Sequence, residues 1–162
     1  MIKRFTHIEF DSDGKVLLLW GEDDVAMIFV PDSLSREGFL QLGGASGKLD
    51  GNQKCEFLSL YSVSEDVSGD DIEEVSANKI LKACFHPFNS SAIVILRQSK
   101  WLKVVNVSQY ESYSIALDDK IKFSSFCFGP RMLDFTSFSL FLLATSGAVY
   151  YVSPIIPRGF RQ

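Results

Sequence analysis

At 162 residues the chain has the length of one ordinary domain, and with 46% apolar residues it can bury a real core. Its net charge of -4 and lack of any Lys/Arg stripe argue against nucleic acid as a direct partner, because phosphate contacts need clustered cations. The fourteen Phe are unusual; Phe favours strands, and its ring suits the space between packed sheets.

Taken in chain order, three segments share one plan. The first runs FTHIEF, the turn Asp11-Ser12-Asp13-Gly14, KVLLLW, the turn Gly21-Glu22-Asp23-Asp24, then VAMIFV. The second runs ILKACF, the turn His86-Pro87-Phe88-Asn89-Ser90, AIVIL, the turn Arg97-Gln98-Ser99-Lys100, then WLKVVNV. The third runs IKFSSFCF, Gly129-Pro130 with a longer loop, FSLFLLA, the turn Thr145-Ser146-Gly147, then AVYYV. Each is strand, turn, strand, short turn, strand, punctuated by Gly, Pro, Asn and Asp. CEFLSLYSV and YESYSIAL alternate as half-exposed fourth strands do, whereas the middle strands read as continuous apolar runs buried on both faces.

The last Phe of each first strand marks the spacing. Phe85 to Phe128 is 43 residues, inside the roughly 40–45-residue period of four-stranded propeller blades. Phe10 to Phe85 is longer because two polar insertions, 31–53 and 64–77, interrupt the first repeat. The expected fold is all-β, with antiparallel four-stranded sheets packed as blades of an incomplete β-propeller and a sandwich as the competitor. One domain spans 1–162, with blade-like units at about 5–63, 78–117 and 121–157. Three to three and a half blades close no ring, since natural propellers use about four to eight. The chain is therefore expected to be part of a longer protein, or to be completed by another chain.

Candidate chemistry is sparse. Cys55, Cys84 and Cys127 are odd in number and far apart, forming neither a disulfide framework nor a CxxC zinc pair; they read as reduced, buried thiols. Two sequons, at Asn89 and Asn106, follow a start without a signal peptide and read as chance matches in an intracellular protein. Residues 135–157, FTSFSLFLLATSGAVYYVSPIIP, are long enough to span a membrane. The central Thr-Ser-Gly and the closing prolines instead suggest a tight hairpin with two buried strands, without membrane insertion.

Of the two histidines, His86 precedes Pro87 and reads as a turn-stabilising residue with a lesser claim to a partner contact; His7 reads as a polar strand position. GGASGKLD lacks the spacing and hydroxyl of a P-loop. Six carboxylates between Glu65 and Glu74 form an acidic loop without the order of a calcium-binding loop. Glu73 and Glu74 there are candidates for a basic partner. Trp20 and Trp101 read as blade-to-blade packing, with Trp101 also a candidate surface contact because Trp is favoured at hot spots. No catalytic, cofactor or metal residue is expected. A carboxylate enzyme working in a propeller channel would place acids on the innermost strands, which here are mainly Phe, Ile, Cys, Ser and Lys.

The order of several motifs resembles a known family. Phe85-His86-Pro87, the strand at 92–96 and the strand at 102–107 are followed by Gly147-Ala148-Val149-Tyr150 and a Pro-x-x-Pro from Pro154 to Pro157. This sequence of features is similar to the N-terminal β-propeller of nucleoporin 88 (fungal nucleoporin 82), over about residues 5–30 and 78–160. The resemblance implies a non-enzymatic scaffold on the cytoplasmic face of the nuclear pore complex, at the nuclear envelope, supporting mRNA export and protein transport. It implies other nucleoporins as partners: the autoproteolytic domain of the nucleoporin 98/116 type and the coiled-coil subunit of the nucleoporin 214/159 type. No heptad-patterned coiled coil is present in this chain. An adaptor propeller of another intracellular complex is the alternative.

Overall fold

The computed structural model describes residues 5–30, 56–62, 79–98, 101–130 and 135–157. Among them eleven strands form three antiparallel sheets. The first contains β1 (His7–Phe10), β2 (Val16–Trp20), β3 (Asp24–Phe29) and β4 (Glu56–Ser62), side by side in chain order. The second repeats this plan with β5 (Ile80–His86), β6 (Asn89–Arg97), β7 (Trp101–Asn106) and β8 (Glu111–Ala116). The third has β9 (Phe123–Phe128), β10 (Leu140–Ala144) and β11 (Val149–Val152), with a short 3-10 turn at Phe135–Phe138 before β10. The all-β propeller expectation is borne out.

Local chemistry sets the turns. The buried Asp11 carboxylate accepts the N–H groups of Lys15 and Val16 at 2.8 and 3.0 Å, closing the β1–β2 turn. Gly147 has φ of +87°, a conformation that a side chain disfavours, and donates to Ala144 O at 2.9 Å in the β10–β11 turn. Pro87 and Phe88 alone form the β5–β6 turn. Asn89 and Ser90, expected in it, already belong to β6, because Asn89 pairs with His86 across the tight turn; the Asn89 side chain also accepts the Ser91 N–H at 2.9 Å.

The second sheet lies between the other two, and its side chains alternate between two cores. Ile93 and Ile95 of β6 face the first sheet, packing with Leu18, Trp20, Val25 and Met27. Val94 and Leu96 face the third, packing with Phe126, Leu140, Leu142 and Ile155. A strand has a side-chain period of two, so one apolar run serves two seams, and each buried aliphatic side chain contributes about 1.5–3 kcal/mol. In β5 an irregularity between Ile80 and Lys82 shifts the register, so Ile80 and Ala83 both reach the first seam while Leu81 and Cys84 pack on the second.

Several expectations need correction. Residues 135–157 do form a hairpin, but only β10 is largely buried; Val149 and Tyr151 of β11 are exposed because no described element covers the outer side of the third sheet, while Tyr150, opposite Leu142 on the seam side, meets the Phe123 ring and stays 41% exposed. For the same reason Leu143 is exposed, so β10 is not buried on both faces as β6 is. Cys127 is an exposed thiol, since β9 turns it to that outer face opposite Phe141. Trp20 packs between blades as expected, whereas Trp101 is 43% exposed at the start of β7. The insertions, Cys55 and the acidic loop lie outside the described residues.

Candidate functional site: the seam between the second and third sheets

The seam is organised around the last residue of β5. His86 is 2% exposed. The Phe88 N–H donates to its Nδ1 at 3.3 Å, so Nδ1 carries the lone pair and Nε2 carries the proton. Nε2 donates to the carbonyl of Ile155 at 3.1 Å. The ring meets Phe128 edge-on, with centroids 5.2 Å apart, and Phe138 at 6.0 Å; Phe88 stacks on Phe138 at 4.9 Å. Burial lowers the imidazole pKa, and the bond to Ile155 only partly offsets this. The ring is therefore held neutral.

Residues 153–157 cross from the third sheet to the second and are fastened there. Ile155 is fully buried in the seam and its N–H donates to Phe138 O at 2.7 Å. The Tyr113 hydroxyl, on β8, donates to Ile156 O at 3.1 Å, and Ser139 Oγ pairs with Ser153 Oγ at 2.8 Å. This strap joins the blades by directed bonds in addition to apolar contact.

At the opposite end of the strands a cavity of about 500 Å³ opens between the same two sheets. Leu81, Leu117, Ile121 and Phe123 supply its apolar wall, and Arg97, Lys122, Asp118 and Asp119 supply both signs of charge. A smaller hollow of about 290 Å³ lies where the first strands of the three sheets approach. Glu9 of β1 borders it with Lys82 and Cys84 of β5 and Cys127 of β9. Burial raises the Glu9 pKa and Lys82 opposes that rise. Lys82 Nζ donates to Phe126 O at 2.7 Å and lies 5.4 Å from the Phe126 ring centroid, tying β5 to β9. Burial pushes the Cys84 thiol well above its ordinary range. A protonated thiol is a poor nucleophile.

Both nitrogens of His86 engage backbone groups, which leaves the ring positioned for structure and without surface for a partner. Trp101 lies on the other face of the second sheet, in the β7 row with Lys103 and Val105, so the two residues are not brought together. Glu73 and Glu74 lie outside the described residues. Among the described residues no group of three or more His, Cys, Asp and Glu could hold a metal. The motifs in the sequence point neither to Glu9 nor to Tyr113. The only signal for each is its place in an alternating strand, Glu9 between Ile8 and Phe10, Tyr113 two residues before Ile115.

The architecture is that of known structures. One is a chain of the crystal structure of the Chaetomium thermophilum heterotrimeric Nup82 NTD–Nup159 TAIL–Nup145N APD complex. It matches with a TM-score of 0.69 at 16% identity, covering 95% of this chain and 32% of that one. The chain has a Nup82-like propeller fold. A second, from the yeast heterotrimeric Nup82–Nup159–Nup116 nucleoporin complex, matches with a TM-score of 0.55 at 20% identity, covering 94% of this chain and 33% of that one. The present chain thus spans about a third of the length of these Nup82-complex chains. No protein-family model and no curated protein sequence matches it.

Proposed function

We propose that the chain is a propeller portion of a non-enzymatic scaffold subunit of the nuclear pore complex. The observation that carries this is the agreement of the three-sheet architecture with chains of Nup82 complexes over 95% and 94% of its residues. The order of Phe-His-Pro, strand, strand and Gly-x-Val-Tyr supports the same reading from the sequence side. So does the seam: its conspicuous polar side chain, His86, is used to fasten one blade to the next. Such a rigid stack suits a body that holds other proteins in place.

The partners proposed are those of the similar complexes, namely proteins of the Nup159 and the Nup145N or Nup116 kind. The place proposed is the cytoplasmic face of the pore, in support of mRNA export. The test is to tag the full natural protein and follow its position and its co-purifying proteins. Rim staining of the nucleus and recovery of Nup159-type and Nup116-type proteins is expected. A diffuse cytoplasmic signal, with subunits of an unrelated complex recovered instead, would overturn the proposal in favour of an adaptor propeller.

A further inference from the structure

The strap and the β5–β6 turn meet at one side chain that can change its charge. His86 takes the Phe88 N–H at Nδ1 and gives its own proton from Nε2 to Ile155 O, at 3.3 and 3.1 Å. We propose that this histidine is a pH-operated clasp between the second and third sheets: neutral, it holds residues 153–157 on the seam; protonated, it leaves its site and lets them go. The inference goes beyond the pore reading and does not depend on it.

Three observations carry it. First, the site suits only the neutral ring. A second ring proton would sit on Nδ1 and face the Phe88 N–H, a donor against a donor. The ring is 2% exposed, with Phe128, Phe138 and Phe88 at 5.2, 6.0 and 6.3 Å. A charge among these rings loses its water and gains no polar cage. The ring recovers water by swinging out, which surrenders Ile155 O.

Second, the charged groups around the ring leave this balance in place. Asp11 and Asp13 of the β1–β2 turn share with His86 a hollow of about 190 Å³. The Asp11 carboxylate already accepts the Lys15 and Val16 N–H groups, and Asp13 accepts the Ser12 hydroxyl at 3.2 Å. On β5 itself, Lys82 is positive and tied to Phe126 O, and Cys84 is held protonated. The titratable side chain of β9 is Cys127, on its outer face, and that of β8 nearest the strap is Tyr113, which donates to Ile156 O. Phe135–Phe138 and residues 153–157 contain no titratable side chain. Burial accordingly lowers the His86 pKa, and the bond to Ile155 only partly opposes it.

Third, the strap is held at points, whereas the sheet beneath it is held by ladders. Among the described residues 153–157 pair with no strand. Their fastenings are the His86 bond, Ile155 N–H to Phe138 O, Tyr113 to Ile156 O, the Ser139–Ser153 pair and the burial of Ile155. β6, by contrast, is bonded along its length to both β5 and β7. Segments with few backbone bonds open locally at lower free energy than ladders do. Loss of the His86 bond therefore opens the strap, withdraws Ile155 from the seam and uncovers Phe128 and Phe138, while the ladders stay shut.

Hydrogen exchange of the natural full-length protein at pH 7.5 and 5.5, read by mass spectrometry and corrected for the intrinsic pH dependence of amide exchange, tests this. Residues 153–157 are expected to lose protection severalfold on acidification. The ceiling is about tenfold, because the released ring titrates at the ordinary value of 6.5. The Phe88 amide should follow, and the β6–β7 ladder at 92–96 and 102–106 should not. In His86→Gln the side-chain amide replaces both bonds without titrating, so protection at 153–157 should be the same at both pH values. Unchanged protection of 153–157 in the wild type overturns the proposal, whether or not the variant folds. So does an equal loss in the ladder, which would make the opening global. So does a loss in His86→Gln as large as that in the wild type. None of these outcomes bears on localisation to the pore.

Discussion

His86 Nε2 donates to the carbonyl oxygen of Ile155 across 3.1 Å, from the end of one blade to the strap that leaves the next. The bond requires a protonated Nε2, and the Phe88 N–H requires an unprotonated Nδ1, so both hold only for the neutral ring. Protonation would remove the acceptor for Phe88 and place a charge among Phe88, Phe128 and Phe138.

Stability should accordingly fall on acidification. The folded-state pKa of His86 lies below the ordinary value of 6.5, so the unfolded chain takes up the proton first. The contribution is present above pH 6.5 and is lost as the pH falls below it, through the lowered folded-state value. Glu9 acts with the opposite sign. Its raised pKa gives a contribution that is full below 4.5 and lost as the pH rises through the folded-state value. The measurement is therefore the melting temperature between pH 8 and 5 for wild type and His86→Gln, which share the Glu9 contribution. The gap between the two should narrow as the pH falls; a constant gap would show that His86 does not titrate in this way.

Two backbone-directed positions should be sensitive out of proportion to their size. Gly129 is buried, and a Cβ there would overlap the carbonyl oxygen of Thr136 and press on the Phe141 ring. Gly129→Ala should cost about 1–3 kcal/mol, as overpacking does. Asp11→Ala leaves the Lys15 and Val16 N–H groups without their acceptor and should cost about 1–3 kcal/mol, with Asp11→Asn milder. Urea titration reads both; an unchanged midpoint for either would contradict the geometry at that site.

The two seams should behave as separate cores. Leu18 belongs to the first, and Leu96 and Leu142 to the second. Each change to Ala should cost about 2–5 kcal/mol. Leu18→Ala with Leu142→Ala should add to within about 0.5 kcal/mol, while Leu96→Ala with Leu142→Ala should not. Chemical denaturation of the singles and the two doubles decides it, and equal coupling in both doubles would argue against two independent cores.

Thiol accessibility should separate the described cysteines. In a Cys55→Ser background, an aromatic disulfide reagent at pH 8 should label exposed Cys127 rapidly. Half-buried Cys84, whose thiol is held protonated, should react about a hundredfold more slowly until guanidinium unfolds the chain. Two rapid thiols in the native protein would contradict the packing of Cys84 at the second seam.

Strand order, turn chemistry and repetition were legible in the sequence because each depends on neighbours in the chain. Alternating Tyr113 and Ile115, the apolar run at 92–96 and the Gly147 turn all signal locally. The reach of a side chain to another blade is not local. Trp101 and Trp20 hold neighbouring places in similar strands, yet Trp20 is buried in the first seam and Trp101 is exposed at the start of β7. FHPF announces a turn, but not that the histidine meets a carbonyl 69 residues further on.

The sequence by itself determined an all-β chain of repeated antiparallel units, because the period of two and the turn residues are properties of short segments. Only the tertiary structure decided which faces those units cover. It gave the second sheet two buried faces and the third sheet one, turned Cys127 outward, and carried residues 153–157 back to His86. The physical reason is that a strand's apolar residues specify burial without specifying the surface that provides it. That surface is chosen when the sheets stack, and among the described residues no strand lies on the outer side of β11.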